Sequence, residues 1–67
     1  MKMEGVASSN INSIGWENKL LNVEFKNGSV YQYEGVPKAV YDLLLSAESV
    51  GRTFNTLVKN SYTYKKI

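Results

Sequence analysis

The residues best suited to chemistry lie at the start of a helix predicted over residues 50–60, and they suit anion binding. Ser49 is a favourable N-cap for that helix. The unpaired N–H groups and the dipole of a helix start attract an anion, and Gly51 leaves space beside them. Arg52 adds a planar guanidinium that matches a phosphate. The side chains predicted to complete this site are Ser49, Asn55 and Lys59. The alternative is a capped helix with an exposed arginine.

A second group of polar side chains, Ser8, Ser9 and Asn10, precedes the first predicted strand. Their hydroxyl and amide groups could hold a ligand, and Ser9 and Asn10 are included in the predicted binding site. The competing interpretation is a turn that caps its own backbone. Tyr31 and Tyr33 could stack a base, but the strand register argued below turns both rings towards the core. Tyr33 stays in the predicted site because its hydroxyl could reach a pocket rim.

The residue types that usually perform catalysis are missing or scattered. The 67-residue chain contains no histidine and no cysteine, which leaves no imidazole base and no thiol nucleophile and argues against a zinc site. The acidic residues are spread over turns, an outer strand face and helix ends, so no pair of them is set up as general acid and base. We therefore predict no enzyme activity, no metal and no cofactor.

The element that must position the site is a β-hairpin closed by Asn27-Gly28. A two-residue turn at 27–28 and a three-residue loop over 26–28, with Gly28 left-handed, give registers that differ by one residue. A slip of one residue moves every side chain to the other face of the sheet. Only the three-residue loop puts the apolar residues on one face, so it is the predicted loop. Those residues are Leu21, Val23, Phe25, Tyr31 and Tyr33.

The elements around the hairpin complete an α+β fold. We predict a first strand near residues 11–16, a helix over 37–47 with its core stripe on Val40, Leu43, Leu44 and Ala47, and the helix over 50–60. Residues 1–5 are expected to be frayed, and residues 62–64 alternate as an edge strand would. The prediction is a three- to four-stranded antiparallel sheet, a β-meander, with two helices packed on one face. It forms a single domain over residues 1–67, with an ordered core of about 6–64.

The charge is small in total but uneven along the chain. The net charge is +2, while residues 49–67 carry four cations and no acid. This segment is either a phosphate-facing surface or a solvated tail. No apolar run approaches the roughly 18 residues of a membrane span, and the first ten residues lack the apolar stretch of a signal peptide. We predict a cytoplasmic protein without a membrane partner, in the host cytoplasm if a phage encodes it. Its small core predicts a homo-oligomer.

Five segments, taken together, resemble the KTSC domain, a small domain also found at the C-terminus of some lysyl-tRNA synthetases. They are SSNINSIGW (8–16), the L-x-V-x-F strand (21–25), NGSVYQY (27–33), VPKAVYDLL (36–44) and AESVGRTFN (47–55). The chain departs from the family pattern at Trp16, where tyrosine is usual, and at Thr53, where an aromatic residue is common. The resemblance implies an α+β mini-domain with no known catalytic role, for which RNA binding is the usual suggestion.

Three functions remain open from the sequence. The first is a non-catalytic binding protein that captures a phosphate-bearing nucleotide, as a phage-encoded oligomeric sponge that sequesters a nucleotide immune signal. The second is an RNA-binding module, and the third is a protein-interaction module without a nucleotide ligand. The expected partners are a nucleotide or short RNA and further copies of the chain.

Overall fold

A five-stranded antiparallel sheet forms one layer of the protein and two helices form the other. The computed structural model describes residues 1–67. The elements are β1 (Met3–Gly5), β2 (Ile11–Glu17), β3 (Leu20–Phe25), β4 (Val30–Glu34), α1 (Lys38–Ser46), α2 (Val50–Leu57) and β5 (Tyr64–Lys66). The strands lie in the sheet in chain order. The predicted α+β meander is confirmed, with five strands rather than three or four.

The β3–β4 hairpin has the predicted register. Val23 lies opposite Tyr31, and Leu21 lies opposite Tyr33. The Phe25 N–H donates to the Ser29 carbonyl at 2.8 Å, and the Gly28 N–H donates to the Phe25 carbonyl at 2.9 Å. Gly28 has a φ of 92°, a left-handed value that costs little only without a Cβ. The loop therefore turns the aromatic side chains of β4 towards the helices.

The core lies between the helices and the inner face of the sheet. Both helices and strands β2, β3 and β4 contribute apolar side chains to it, as do Val36 before α1 and Val58 after α2. The buried apolar residues are Ile11, Ile14, Leu21, Val23, Tyr33, Val36, Leu44, Val50, Phe54 and Val58. The Trp16 indole N–H donates to the Val36 carbonyl at 2.7 Å. This bond ties β2 to the segment that enters α1.

Helix α2 begins as predicted and ends earlier than predicted. The Ser49 hydroxyl accepts the Arg52 N–H at 3.3 Å, which confirms Ser49 as the N-cap. The helix stops at Leu57 because the N–H groups of Val58 and Lys59 both donate to the Phe54 carbonyl, at 2.9 and 3.0 Å. The predicted extension to residue 60 is therefore wrong, and residues 58–60 turn back towards the sheet.

Helix α1 presents only part of the predicted stripe to the core. Leu44 is fully buried, and Val40 and Tyr41 pack against the core. Leu43 is 54% exposed, so its predicted place in the core is wrong. Pro37 is the N-cap rather than the first helical residue, and the helix starts at Lys38. The side of α1 that carries Leu43 and Leu45 is open to solvent.

The outer face of the sheet is mainly polar. Glu24 accepts hydrogen bonds from Asn12 Nδ2 at 2.9 Å and from Ser13 Oγ at 2.8 Å. The bond from Asn12 and then the bond from Ser13 hold the pKa of the Glu24 carboxyl below its usual value. Gln32 Nε2 donates to Asn22 Oδ1 at 3.0 Å. The polar groups of this face are therefore largely paired with one another.

The N-terminal residues form an edge strand, so the prediction that they fray is wrong. Met3 lies opposite Gly15 in the β1–β2 pairing. A Cβ on Gly15 would lie 2.6 Å from Met3 Sδ and 2.7 Å from the Lys2 carbonyl oxygen. Gly15 therefore makes room for β1. The pairing register between β2 and β3 shifts between Ile11 and Ser13.

Candidate functional site

Five aromatic rings meet on the inner face of the sheet beside α2. Phe25 has its ring centroid 5.7 Å from Tyr31 and 5.9 Å from Phe54, and Tyr33 lies 5.3 Å from Phe54. Tyr64 of β5 completes the cluster at 5.7 Å from Tyr31 and 5.2 Å from Tyr33. All but the last of these pairs are edge-to-face, an arrangement worth about 0.5–1.5 kcal/mol per pair beyond burial. The cluster therefore holds its rings in defined orientations.

The five rings line a cleft of about 340 Å³, here called the aromatic groove. The volume is within the range of small-molecule sites, roughly 300–1,000 Å³. Its polar lining consists of Asn10, Asn55, Lys59 and Asn60. No acidic side chain lines the groove. The groove thus combines flat apolar surfaces with amide groups and one cation.

A second cleft, of about 430 Å³, continues the groove towards the hairpin loop and is here called the hairpin cleft. It shares Asn10, Phe25 and Tyr31 with the aromatic groove. Its remaining lining residues are Ser9, Lys26 and Asn27. The continuous depression therefore has one lysine in its hairpin section and another, Lys59, in its aromatic section.

A third cleft, of about 460 Å³, lies at the start of α2 and is here called the α2 pocket. Its lining is almost wholly polar: Ala7, Ser8, Ser9, Asn10, Glu48, Ser49, Gly51, Arg52 and Asn55. It combines hydroxyls, amides and one guanidinium with a single carboxylate, that of Glu48. That carboxylate opposes an anion, while Arg52 favours one.

The backbone at the start of α2 has free donors. The Arg52 N–H donates to the Ser49 hydroxyl, and the Thr53 N–H donates to the Ser49 carbonyl at 3.0 Å. The N–H groups of Val50 and Gly51 have no hydrogen-bond partner within the protein. Two donors of the first turn are therefore unused, as expected where a helix start has only one capping side chain.

The eight residues predicted for the site lie in two adjoining clefts. Six of them line the α2 pocket: Ser9, Asn10, Ser49, Gly51, Arg52 and Asn55. The other two, Tyr33 and Lys59, line the aromatic groove. Asn10 and Asn55 line both clefts. The structure thus brings together residues from two distant parts of the chain.

Sequence reasoning missed most of the groove's aromatic lining. Phe25 and Tyr31 were predicted to face the core, and Phe54, which is buried, was left out of the predicted site. Phe25 and Tyr31 are only half-buried and face the groove. Tyr64 is 58% exposed and closes the cluster from β5. The alternation of residues 62–64 was the signal that an edge strand would bring an aromatic ring to this face.

The Tyr33 hydroxyl in the aromatic groove is uncharged at physiological pH. Burial raises the pKa of the Tyr33 hydroxyl, and the nearby Tyr64 and Tyr31 raise it further. The hydroxyl is therefore neutral at physiological pH and acts as a hydrogen-bonding group rather than a base.

No group of three or more His, Cys, Asp or Glu side chains is arranged to hold a metal ion. Neither helix is long and apolar enough to cross a membrane.

The chain is similar along its whole length to small proteins from bacteria. An uncharacterized protein of Stutzerimonas stutzeri is 43% identical over 70 residues, covering 100% of this chain and 99% of that protein. A crystal structure of a KTSC domain protein from Yersinia pestis superimposes with a TM-score of 0.92 at 38% identity. It covers 98% of this chain and 96% of its own chain. Both likenesses extend over a complete small domain.

Similarity also extends to one part of a larger enzyme. A lysine–tRNA ligase of Nostoc punctiforme is 36% identical over 69 residues, which is 100% of this chain but only 12% of the ligase. The family model described as "KTSC domain" matches residues 7–62. That match includes the hairpin, both helices and all eight predicted site residues, from Ser9 to Lys59. The chain therefore belongs to the KTSC domain family.

Proposed function

We propose that this chain is a non-catalytic binding protein for a phosphate-bearing nucleotide, with the base in the aromatic groove and the phosphate in the α2 pocket. The observation that carries the proposal is the wall that these two clefts share, formed by Asn10 and Asn55. A matching ligand is flat and weakly polar at one end and anionic at the other. A nucleotide has that shape and charge distribution.

The base end of the proposal rests on aromatic rings that are still open to a ligand. Phe25 and Tyr31 are half-buried, and Tyr64 is largely exposed. Stacking of a base on such a ring contributes about 1–3 kcal/mol per base. The edge-to-face packing fixes the rings beforehand, which reduces the ordering cost of binding.

The phosphate end rests on Arg52 and on the free amide of Gly51. Arg52 is exposed and forms no salt bridge within the protein. Hydrogen bonds between a guanidinium and a phosphate are roughly twice as strong as neutral ones. Lys59, also unpaired, supplies a second cation from the groove. These groups outweigh the single opposing carboxylate of Glu48.

Replacing Arg52 with alanine is expected to weaken nucleotide binding about tenfold or more, because one charge-assisted contact to the phosphate is lost. The thermal midpoint of the unliganded protein should not change, since the side chain is exposed and unpaired. Lys38→Ala is the matched control, because Lys38 is an exposed cation on α1 that lines none of the three clefts. Equal affinities for Arg52→Ala and Lys38→Ala would remove the α2 pocket from the proposal.

A ligand panel separates the candidate functions. The purified protein is mixed with cyclic dinucleotides, mononucleotides and short RNAs, and its thermal midpoint is measured. A small nucleotide that raises the midpoint supports the proposal, since a ligand that binds only the folded state stabilises it. No shift with any small nucleotide would contradict the proposal. If no ligand in the panel shifted the thermal midpoint, a protein-interaction module would be favoured.

Self-association and sequestration form the finer part of the proposal. We propose a cytoplasmic homo-oligomer that acts as a sponge for a nucleotide immune signal, in the host cytoplasm if a phage encodes it. The support is the open side of α1, where Leu43 and Leu45 are 54% and 43% exposed, together with a small core. A solution mass equal to one chain would contradict the oligomer.

RNA binding is a second candidate, favoured by two specific observations. Lys65 and Lys66 lie on β5 next to the exposed ring of Tyr64. The chain also resembles one segment of a lysine–tRNA ligase. Under this candidate, RNA affinity falls steeply with salt as counterions are released, and small nucleotides do not bind.

A further inference from the structure

Asn10 lines all three clefts, and Ser8 fixes the orientation of its amide. The Ser8 hydroxyl oxygen accepts the N–H of Asn10 at 3.4 Å and the N–H of Ile11 at 3.3 Å. A hydroxyl has two acceptor lone pairs and one proton. Since two backbone N–H groups use the lone pairs, the proton is donated to Asn10 Oδ1, 3.1 Å away.

If the Asn10 amide were flipped, both Asn10 and Ser8 would lose a favourable hydrogen-bond arrangement. The flip would direct an Nδ2 donor at a Ser8 oxygen whose lone pairs are already used, and it would leave the Ser8 proton without this acceptor. Oδ1 also lies close to Gly51 of α2, since a Cβ added to Gly51 would lie 3.1 Å from it. The carbonyl end of Asn10 is therefore held between Ser8 and α2, and the Nδ2 group has no partner within the protein.

We propose that Asn10 determines base specificity, and that it favours bases whose exposed edge carries hydrogen-bond acceptors. The inference rests on the nucleotide-binding function proposed above. With Oδ1 engaged, Asn10 offers only donors to the groove. The ammonium of Lys59 also offers only donors. Asn55 and Asn60 have no side-chain hydrogen bonds that fix their amides, so they adapt to either kind of base edge.

The two fixed donors, Asn10 and Lys59, distinguish the two purines. The Hoogsteen edge of guanine presents O6 and N7 as adjacent acceptors, whereas that of adenine presents N7 beside the donor amino group at N6. Guanine therefore accepts hydrogen bonds from both Asn10 and Lys59. With adenine, the N6 amino group is itself a donor and faces one of these two donors. Guanine nucleotides are expected to bind about tenfold more tightly than their adenine counterparts.

The test is a set of calorimetric titrations with two matched pairs, GMP with AMP and cyclic di-GMP with cyclic di-AMP. Asn10→Asp keeps an acceptor for Ser8 but replaces the free donor with a charged acceptor. The new charge repels every phosphate alike, so the readout is the ratio of guanine to adenine affinity. We expect that ratio to fall from about ten to one or below. Asn18→Asp adds the same charge in the β2–β3 turn, where an aspartate tolerates the φ of 50°, and should keep the wild-type ratio.

A second variant tests the hydrogen-bond network itself. Ser8→Ala removes the group that fixes the Asn10 amide, so the ratio should also fall towards one while the thermal midpoint shows that the fold is retained. Equal wild-type affinity for the two members of each pair would overturn the assignment and leave nucleotide binding standing, as would a ratio unchanged in Asn10→Asp. If the wild-type protein bound none of the four nucleotides, the proposed function would fail and this inference with it.

Discussion

Phe54→Ala is expected to lower the free energy of unfolding by about 3–5 kcal/mol, which is most of the stability of a domain this small. Phe54 is 4% exposed, and its ring packs edge-to-face on Phe25 and Tyr33. Truncation removes the apolar contact and leaves a cavity between α2 and the sheet. Because the helix has only eight residues, its neighbours in the core cannot compensate for that loss.

The effect of Phe54→Ala can be followed by urea unfolding with the single tryptophan as reporter. Trp16 donates to the Val36 carbonyl in the folded state, so its fluorescence responds to loss of the core. Leu43→Ala is the matched control, because Leu43 is a helical apolar residue that is 54% exposed. The control should change stability by no more than about 0.5 kcal/mol. Similar losses in the two variants would mean that the aromatic cluster does not hold α2 on the sheet.

Gly15→Ala is the substitution with the second-largest expected effect, a loss of about 3 kcal/mol. The added Cβ would lie 2.6 Å from Met3 Sδ and 2.7 Å from the Lys2 carbonyl oxygen. The methionine side chain can move away, but the carbonyl belongs to the strand backbone and moves only with β1. The predicted result is displacement of β1 from the sheet edge, and a thermal midpoint lowered by more than about 10 °C.

Gly5→Ala provides the control for Gly15→Ala. Gly5 lies in β1 itself, opposite Ser13, and a Cβ there meets no atom within 4 Å. Its backbone φ is not in the left-handed region, so alanine should be neutral or slightly stabilising through the unfolded state. If Gly15→Ala melted at the same temperature as Gly5→Ala, the close approach of β1 to Gly15 would not be a feature of the folded protein.

The parts of the fold that the sequence predicted correctly depend on local signals. Asn27-Gly28 determines its loop from adjacent residues, and the alternation on either side then selects the register. Ser49 caps α2 through a bond to Arg52, three residues away. Such signals are readable because the interacting groups are close in the chain.

The parts that the sequence did not predict depend on contacts between distant segments. β1 has only three residues, and its pairing becomes evident only when Gly15 is seen beneath it. The exposure of Leu43 depends on how α1 is rotated against the sheet, which the helical period alone does not determine. The early end of α2 reflects two N–H groups converging on the Phe54 carbonyl.

The candidate site was predicted in part for the same reason. The α2 pocket follows from a short stretch, Ser49 to Asn55, and from the polar turn at Ser9 and Asn10. The aromatic groove requires three strands and a helix to be in place at once. Its outer wall, Tyr64, comes from a strand whose pairing partner lies about thirty residues earlier in the chain.

The placement of Tyr64 on β5 has a consequence for how a guest molecule enters and leaves. β5 has three residues, all exposed, and it pairs only with β4. Short edge segments with exposed backbone hydrogen bonds open at far lower free energy than the strands of a core. Local fraying of β5 therefore widens the groove while the rest of the domain stays intact. For the nucleotide proposed above, we therefore expect the residence time to be set by this local opening rather than by global unfolding.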